Sequence, residues 1–145
     1  MGNHQGIHPH PQFSPTDLYE YYLDVVDLPD TYQNELNYKQ PMVSDKEQRE
    51  RNSVLSKQKE TVDEDIILRA RAAYLGMITN LDKQIGEVYQ AWQKYLKRNQ
   101  NMGLFIYLSD HGDTCGEHNI FGKQTFYEGS ARIPFILAGD GIKKN

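Results

Sequence analysis

Between positions 110 and 123 the chain gathers Asp110, His111, Asp113, Glu117, His118 and Lys123, with Gly112 and Gly116 among them. Carboxylate oxygens suit hard cations such as calcium and magnesium, and an imidazole nitrogen suits manganese or zinc. A lysine ammonium beside such a cation can offset charge on an anionic ester as it builds on transferring or leaving oxygens. Glycines let the backbone fold tightly enough for these groups to meet. As a bare dipeptide, Asp110-His111 also describes a carboxylate capping a turn beside a surface histidine, and most loop lysines face solvent. It is the crowding of ligand-type residues that favours a site. Cys115 has no partnered His–Asp arrangement certified by spacing and reads as a partly buried thiol. Glu128 and Arg132 have helical i,i+4 spacing and read as a plain local ion pair.

The elements around this loop must position it. The run 104–108 (Leu-Phe-Ile-Tyr-Leu) is too short for a helix and apolar without alternation, as in a parallel-type strand covered on both faces. A second apolar run, 133–138, starts near Pro134 and is closed by Gly139, Asp140 and Gly141. Upstream, Ile67, Tyr74, Leu81, Val88 and Tyr95 recur every seven residues, with Ile78, Ile85 and Trp92 between them. This pattern predicts one long amphipathic helix over 64–99. Asp63, Glu64 and Asp65 at its start, and Lys94, Lys97 and Arg98 at its end, both complement the helix dipole. Gly76, Gly86 and Arg71 interrupt the stripe, which favours packing on a sheet over a coiled coil. Helix, strand, loop, strand implies an α/β domain, whose working loops lie at the carboxyl ends of strands.

The first 62 residues are less regular. His4, His8 and His10 stand among Pro9, Pro11 and Pro15, so a loop is expected at 2–15. Read by itself, this segment is better described as a solvated terminus than as a source of a catalytic histidine. Residues 14–17 resemble a helix entry, and the tyrosines at 19, 21 and 22 read as packing residues. The stretch 27–60 is a polar connector broken by Pro29 and Pro41. Two regions are therefore expected: loops and connector over 1–62, and a core segment over 63–145.

The 145 residues amount to one domain or a piece of one. A net charge of -4 offers no broad basic footprint for nucleic acid. Cys115 is the only cysteine, so neither an internal disulfide nor a multi-cysteine zinc site can form. Residues 1–13 lack the cationic and apolar regions of an export signal, and no apolar run reaches membrane-spanning length.

The residues 109–113 (Ser-Asp-His-Gly-Asp), 116–118 (Gly-Glu-His), Gly122-Lys123 and 126–134 (Phe-Tyr-Glu-Gly-Ser-Ala-Arg-Ile-Pro) closely resemble the second conserved region of the sulfatases. That family belongs to the alkaline-phosphatase-like superfamily, and the nearest flavour is the arylsulfatase and choline-sulfatase type. The helical stretches 74–77 and 81–86 resemble the helix that precedes this loop there. The resemblance covers 70–142 with specificity. It is weaker over 9–15, where Pro9, His10 and Phe13 are similar to the family's Pro-His loop.

The resemblance implies a three-layer fold with a central, mainly parallel sheet flanked by helices. It also implies that Asp110 and His111 are ligands of one divalent cation, usually Ca2+, with Mn2+ or Mg2+ as alternatives. Lys123 would contact the sulfate ester and His10 would lie near the leaving-group oxygen, with a small sulfate ester as substrate. His111, where many sulfatases carry Asn, is also similar to phosphonate and phosphodiester hydrolases of the superfamily. Two features depart from the family. No Cys/Ser-x-Pro-x-Arg motif, the source of the formylglycine nucleophile, is present, and the early Asp-Asp metal ligands are also missing. The expected activity is thus that of a parent sulfuric ester hydrolase of which this is an internal, separately inactive segment. The competing reading is a non-catalytic binding module.

Overall fold

The computed structural model describes residues 16–32, 46, 62–123 and 125–143. Expectations for His10 and its neighbours, and for most of the 27–60 connector, lie outside these residues. Helix α1 (Thr16–Val25) packs on the long helix α2 (Glu64–Asn99). Strand β1 (Leu104–Leu108) follows, then a single 3-10 turn (Glu117–Asn119), the one-turn helix α3 (Glu128–Ala131) and strand β2 (Phe135–Gly139). Among the described residues, no helix is long and apolar enough to cross a membrane.

Both ends of α2 fall where the pattern puts them, for local chemical reasons. The Asp63 carboxylate accepts the Asp65 N–H at 3.0 Å and satisfies one of the free donors of the first turn. At the other end Gln100 turns left-handed (φ 54°) and its N–H returns to the Leu96 carbonyl. Arg69 and Asp65 form an exposed i,i+4 pair at 2.7 Å, which adds a few tenths of a kcal/mol. Tyr22 of α1 meets Thr79 of α2 through their hydroxyls at 2.7 Å, so one tyrosine of the patch does pack against its neighbour as expected.

The apolar stripe of α2 divides into two parts. Its first turns supply much of the core: Ile67 and Ala70 pack with Phe121 and with Val62, which just precedes the helix, and Leu28, Tyr32 and Ile66 close around them. Farther on, Tyr89 and Trp92 lie against Phe105 of β1, with ring centroids 5.1 and 5.6 Å away. Ile78, Leu81, Val88 and Tyr95 stay exposed, because neither α1 nor the strands cover that side of the helix. The seven-residue repeat therefore marks an apolar stripe, of which only part is buried.

The strands differ from expectation in their surroundings. β1 pairs antiparallel with β2, from Leu104↔Gly139 to Leu108↔Phe135. Phe105 and Tyr107 are half-buried, whereas Leu104, Ile106 and Leu108 are about half exposed (50, 50 and 53 %). β1 is thus covered on one face, since among the described elements only α2 lies over it. Unbroken apolarity in 104–108 could not show which face that would be. Pro134 immediately precedes β2, where its missing N–H costs no ladder bond.

Between β1 and α3 the chain folds back onto the start of α2. Phe121 and Ile120 are fully buried, and the Val62 N–H donates to Asn119 Oδ1 at 2.9 Å. Gly116, at φ 90°, sits so close to Ile67 that an added Cβ would lie 2.5 Å from its Cγ2. Gly116→Ala combines left-handed strain with overpacking and is expected to destabilise the fold by about 2–4 kcal/mol in urea unfolding. Gly86→Ala, with open space around it, should be neutral or stabilising.

Candidate active site

β1 stops at Leu108, and the next residues turn their side chains onto their own backbone. Ser109 Oγ donates to the His111 carbonyl at 2.6 Å, and the His111 N–H donates to Asp110 Oδ1 at 3.1 Å. This local knot fixes the orientation of Asp110 and His111. The histidine Nδ1 lies 2.8 Å from the Gly112 carbonyl, which can only accept, so Nδ1 carries the proton. In the neutral ring, Nε2 is then the atom with the free lone pair. It faces Asp110 Oδ2 at 3.5 Å and is in direct contact with Lys123 Nζ. The Asp110 side chain is 84 % exposed and His111 37 %, so the open edge of the cluster faces outward.

Lys123, twelve residues on from His111, thus returns to the adjacent pair Asp110-His111 at the carboxyl end of β1. The other acidic and histidine side chains of the loop do not join them. The Asp113 Oδ1 turns inward, accepting the Cys115 N–H at 2.8 Å and the Gly122 N–H at 3.3 Å. Glu117 lies against Gly129, where an added Cβ would come within 2.7 Å of its Oε2. His118 stacks on Tyr127, with ring centroids 3.8 Å apart and planes 18° from parallel. Among the described residues, no three His, Cys, Asp or Glu side chains gather as a complete metal site.

The two donors that remain do fit a shared divalent cation. A carboxylate oxygen and an unprotonated imidazole nitrogen 3.5 Å apart lie within the span bridged by metal–ligand bonds of roughly 2.0–2.6 Å. The Nδ1–H to carbonyl bond is the kind of outer contact that fixes the tautomer of a ligating histidine.

Cys115 is buried, 6 % exposed, and its thiol donates to Asp113 Oδ1 at 3.3 Å. Burial first, and the Asp113 carboxylate second, push the thiol far above the ordinary cysteine range. It is therefore a protonated packing group, as its sequence context suggests. Arg71, which breaks the apolar stripe of α2, has a local reason to be there: its Nη1 donates to the Cys115 carbonyl at 3.3 Å. Glu128 and Arg132 form no ion pair. They meet instead through the backbone, Arg132 N–H to the Glu128 carbonyl at 2.8 Å, because α3 is a single turn with both side chains in solvent.

The sulfatase family model matches residues 1–145. The chain belongs to the sulfatase family. It is 37 % identical over 138 residues to an arylsulfatase of Clostridium perfringens, covering 93 % of this chain and 26 % of that enzyme. It is 40 % identical over 81 residues to a choline-sulfatase of Rhizobium meliloti, covering 56 % of this chain and 15 % of the relative. The structure of BT4656 in complex with its substrate D-glucosamine-2-N,6-O-disulfate superposes with a TM-score of 0.55 at 17 % identity, over 94 % of this chain and 36 % of that one. That likeness shows the α/β, alkaline-phosphatase-like fold. The chain spans about a quarter of the arylsulfatase's length.

The state of Cys115 has a measurable consequence in this sulfatase-family chain. A thiol raised on folding stabilises the native state fully below its unfolded value near 9.0, and that stability is lost as pH rises above it. Urea midpoints should therefore fall above pH 9, and less steeply in Cys115→Ala. Ellman's reagent should label Cys115 only as the chain unfolds; rapid labelling of the native chain would contradict its burial.

Proposed function

We propose that the chain forms the cation- and anion-binding edge of a sulfuric ester hydrolase active site. The observation that carries this reading is the meeting of Asp110, His111 and Lys123 on one open edge at the end of β1. Asp110 Oδ2 and His111 Nε2 would hold one divalent cation. Ca2+ suits the carboxylate, and the ring nitrogen also admits Mn2+. Bound there, the cation would supply positive charge to draw in and polarise the sulfuryl oxygens.

Lys123 has a separate task. Its ammonium now contacts the His111 Nε2 lone pair. Because one lone pair cannot serve both a cation and an ammonium, Lys123 would be free to turn to the substrate with a cation held by Asp110 and His111. Its charge then offsets that of the sulfate group as negative charge shifts to the departing oxygen. A histidine must protonate that oxygen as the alcohol or phenol leaves, and His10, in the Pro-His stretch, is the residue we assign to this step.

The nucleophile is not among this chain's residues. No Cys/Ser-x-Pro-x-Arg occurs, and Cys115 is followed by Gly116-Glu117 and buried. We therefore expect the isolated chain to bind Ca2+ and sulfate without turning over an aryl sulfate. The relatives named arylsulfatase and choline-sulfatase support an ester of sulfate as the substrate class.

Titration calorimetry tests the reading. Asp110→Ala should weaken Ca2+ binding by at least roughly tenfold, the scale expected for losing a direct ligand when second-shell changes alone cost 10–100-fold. Lys123→Ala should leave Ca2+ affinity equal or higher while lowering affinity for inorganic sulfate. Unchanged Ca2+ affinity in Asp110→Ala would overturn the assignment.

A further inference from the structure

Lys123 is held by a clamp that its own residue type does not reveal. The residue immediately before it, Gly122, is held through both of its backbone groups. Its N–H donates to Asp113 Oδ1 at 3.3 Å. Its carbonyl accepts the Thr114 N–H at 2.9 Å and the Thr114 hydroxyl at 3.1 Å. The same hydroxyl also reaches the Ile120 carbonyl at 2.7 Å. Thr114 is 1 % exposed, so these bonds form away from competing water. Gly122 has φ 96°, a conformation open to glycine that sends the chain sharply back toward His111.

The other end of the clamp is tied to the cation side. Asp113 lies two residues beyond His111, and Oδ1 also accepts the Cys115 N–H at 2.8 Å. Between them, Gly112 donates its N–H to the Ser130 carbonyl at 2.8 Å and leaves no room for a Cβ, which would fall 2.1 Å from the Gly129 carbonyl oxygen. The backbone that carries His111 is therefore fixed, and a single carboxylate oxygen couples it across the loop to the backbone that carries Lys123.

We propose that Asp113 is a positioning residue that sets the reach of Lys123 toward the His111 edge, and hence toward a sulfate group bound there. This rests on the reading of Lys123 as the anion contact. Thr114 is the second anchor of the same residue, Gly122. Asp113 therefore acts from within the loop, away from the open edge, through the placement of Gly122.

Two readouts on the full chain separate this inference from that reading. The first is the NMR through-space contact between the Lys123 ε-methylene and the His111 ring, which reports position alone. It should be present in the parent chain, lost in Asp113→Ala and weakened in Thr114→Val. Asp113→Asn, which keeps an acceptor oxygen, should largely retain it. The second is calorimetric affinity for inorganic sulfate with Ca2+ present. Asp113→Ala and Lys123→Ala should each lower it by roughly tenfold, a loss of about 1.4 kcal/mol, and the double variant should be no worse than either single one. Where Asp113→Ala does not fold, Thr114→Val carries the same comparison, with Asp113→Asn as the control that should keep both the contact and the sulfate affinity. A Lys123–His111 contact that survives Asp113→Ala, or single losses that multiply in the double variant, overturns the positioning role. Loss of the contact with sulfate affinity unchanged in Lys123→Ala leaves the clamp standing and removes the anion role of Lys123.

Discussion

Burial of the loop 113–122 against the first turns of α2 is the constraint on which the rest of the structure depends. Loops ordinarily run over surfaces because their backbone polar groups need partners. This one is folded in as core, with Phe121 at 0 % and Ile120 at 1 % exposure. It can be so because its polar groups are matched internally: Thr114 with Gly122 and Ile120, Gly116 with Ile120, and Asn119 with the Val62 N–H. Its close approach to Ile67 needs the missing side chain of Gly116. Packing and hydrogen bonding here are one arrangement, and neither is favourable without the other.

The proposed function follows from where that arrangement ends. The loop leaves β1 at Asp110-His111 and returns at Lys123, so closing it on α2 brings its two chemically active ends together. The anchored middle carries no exposed chemistry of its own. Cys115 is neutral and buried, Asp113 is turned inward, and His118 is stacked on Tyr127. In the proposed reading, an edge mounted on an internally hydrogen-bonded loop would avoid part of the ordering cost of catching an anion with free side chains.

Much of this was legible in the sequence. Glu64–Asn99 is recovered to the residue because its signals agree: an Asp63 cap, acidic and basic ends, and a helical apolar period. Asp110, His111 and Lys123 were marked as candidates by the family motif that holds them, and their side chains do meet. Less visible was what depends on surroundings. The run 104–108 is apolar at every position, so nothing in it showed that only the Phe105 side would be covered. Likewise the seven-residue stripe of α2 did not show that Leu81, Val88 and Tyr95 would remain in solvent. Asp113 looked like another candidate ligand because residue type does not report direction. Its position two residues before a turn amide was the available sign of a carboxylate that caps its own backbone.

Asp110 and His111 are proposed to form one cation site that Lys123 flanks. Anomalous diffraction from crystals of the chain grown with Mn2+ tests it most directly. A single peak is expected within roughly 2.0–2.6 Å of Asp110 Oδ2 and His111 Nε2, with Lys123 Nζ moved off the ring nitrogen. A crystal saturated with Mn2+ that shows no density between these two side chains, with Lys123 still on Nε2, would contradict it.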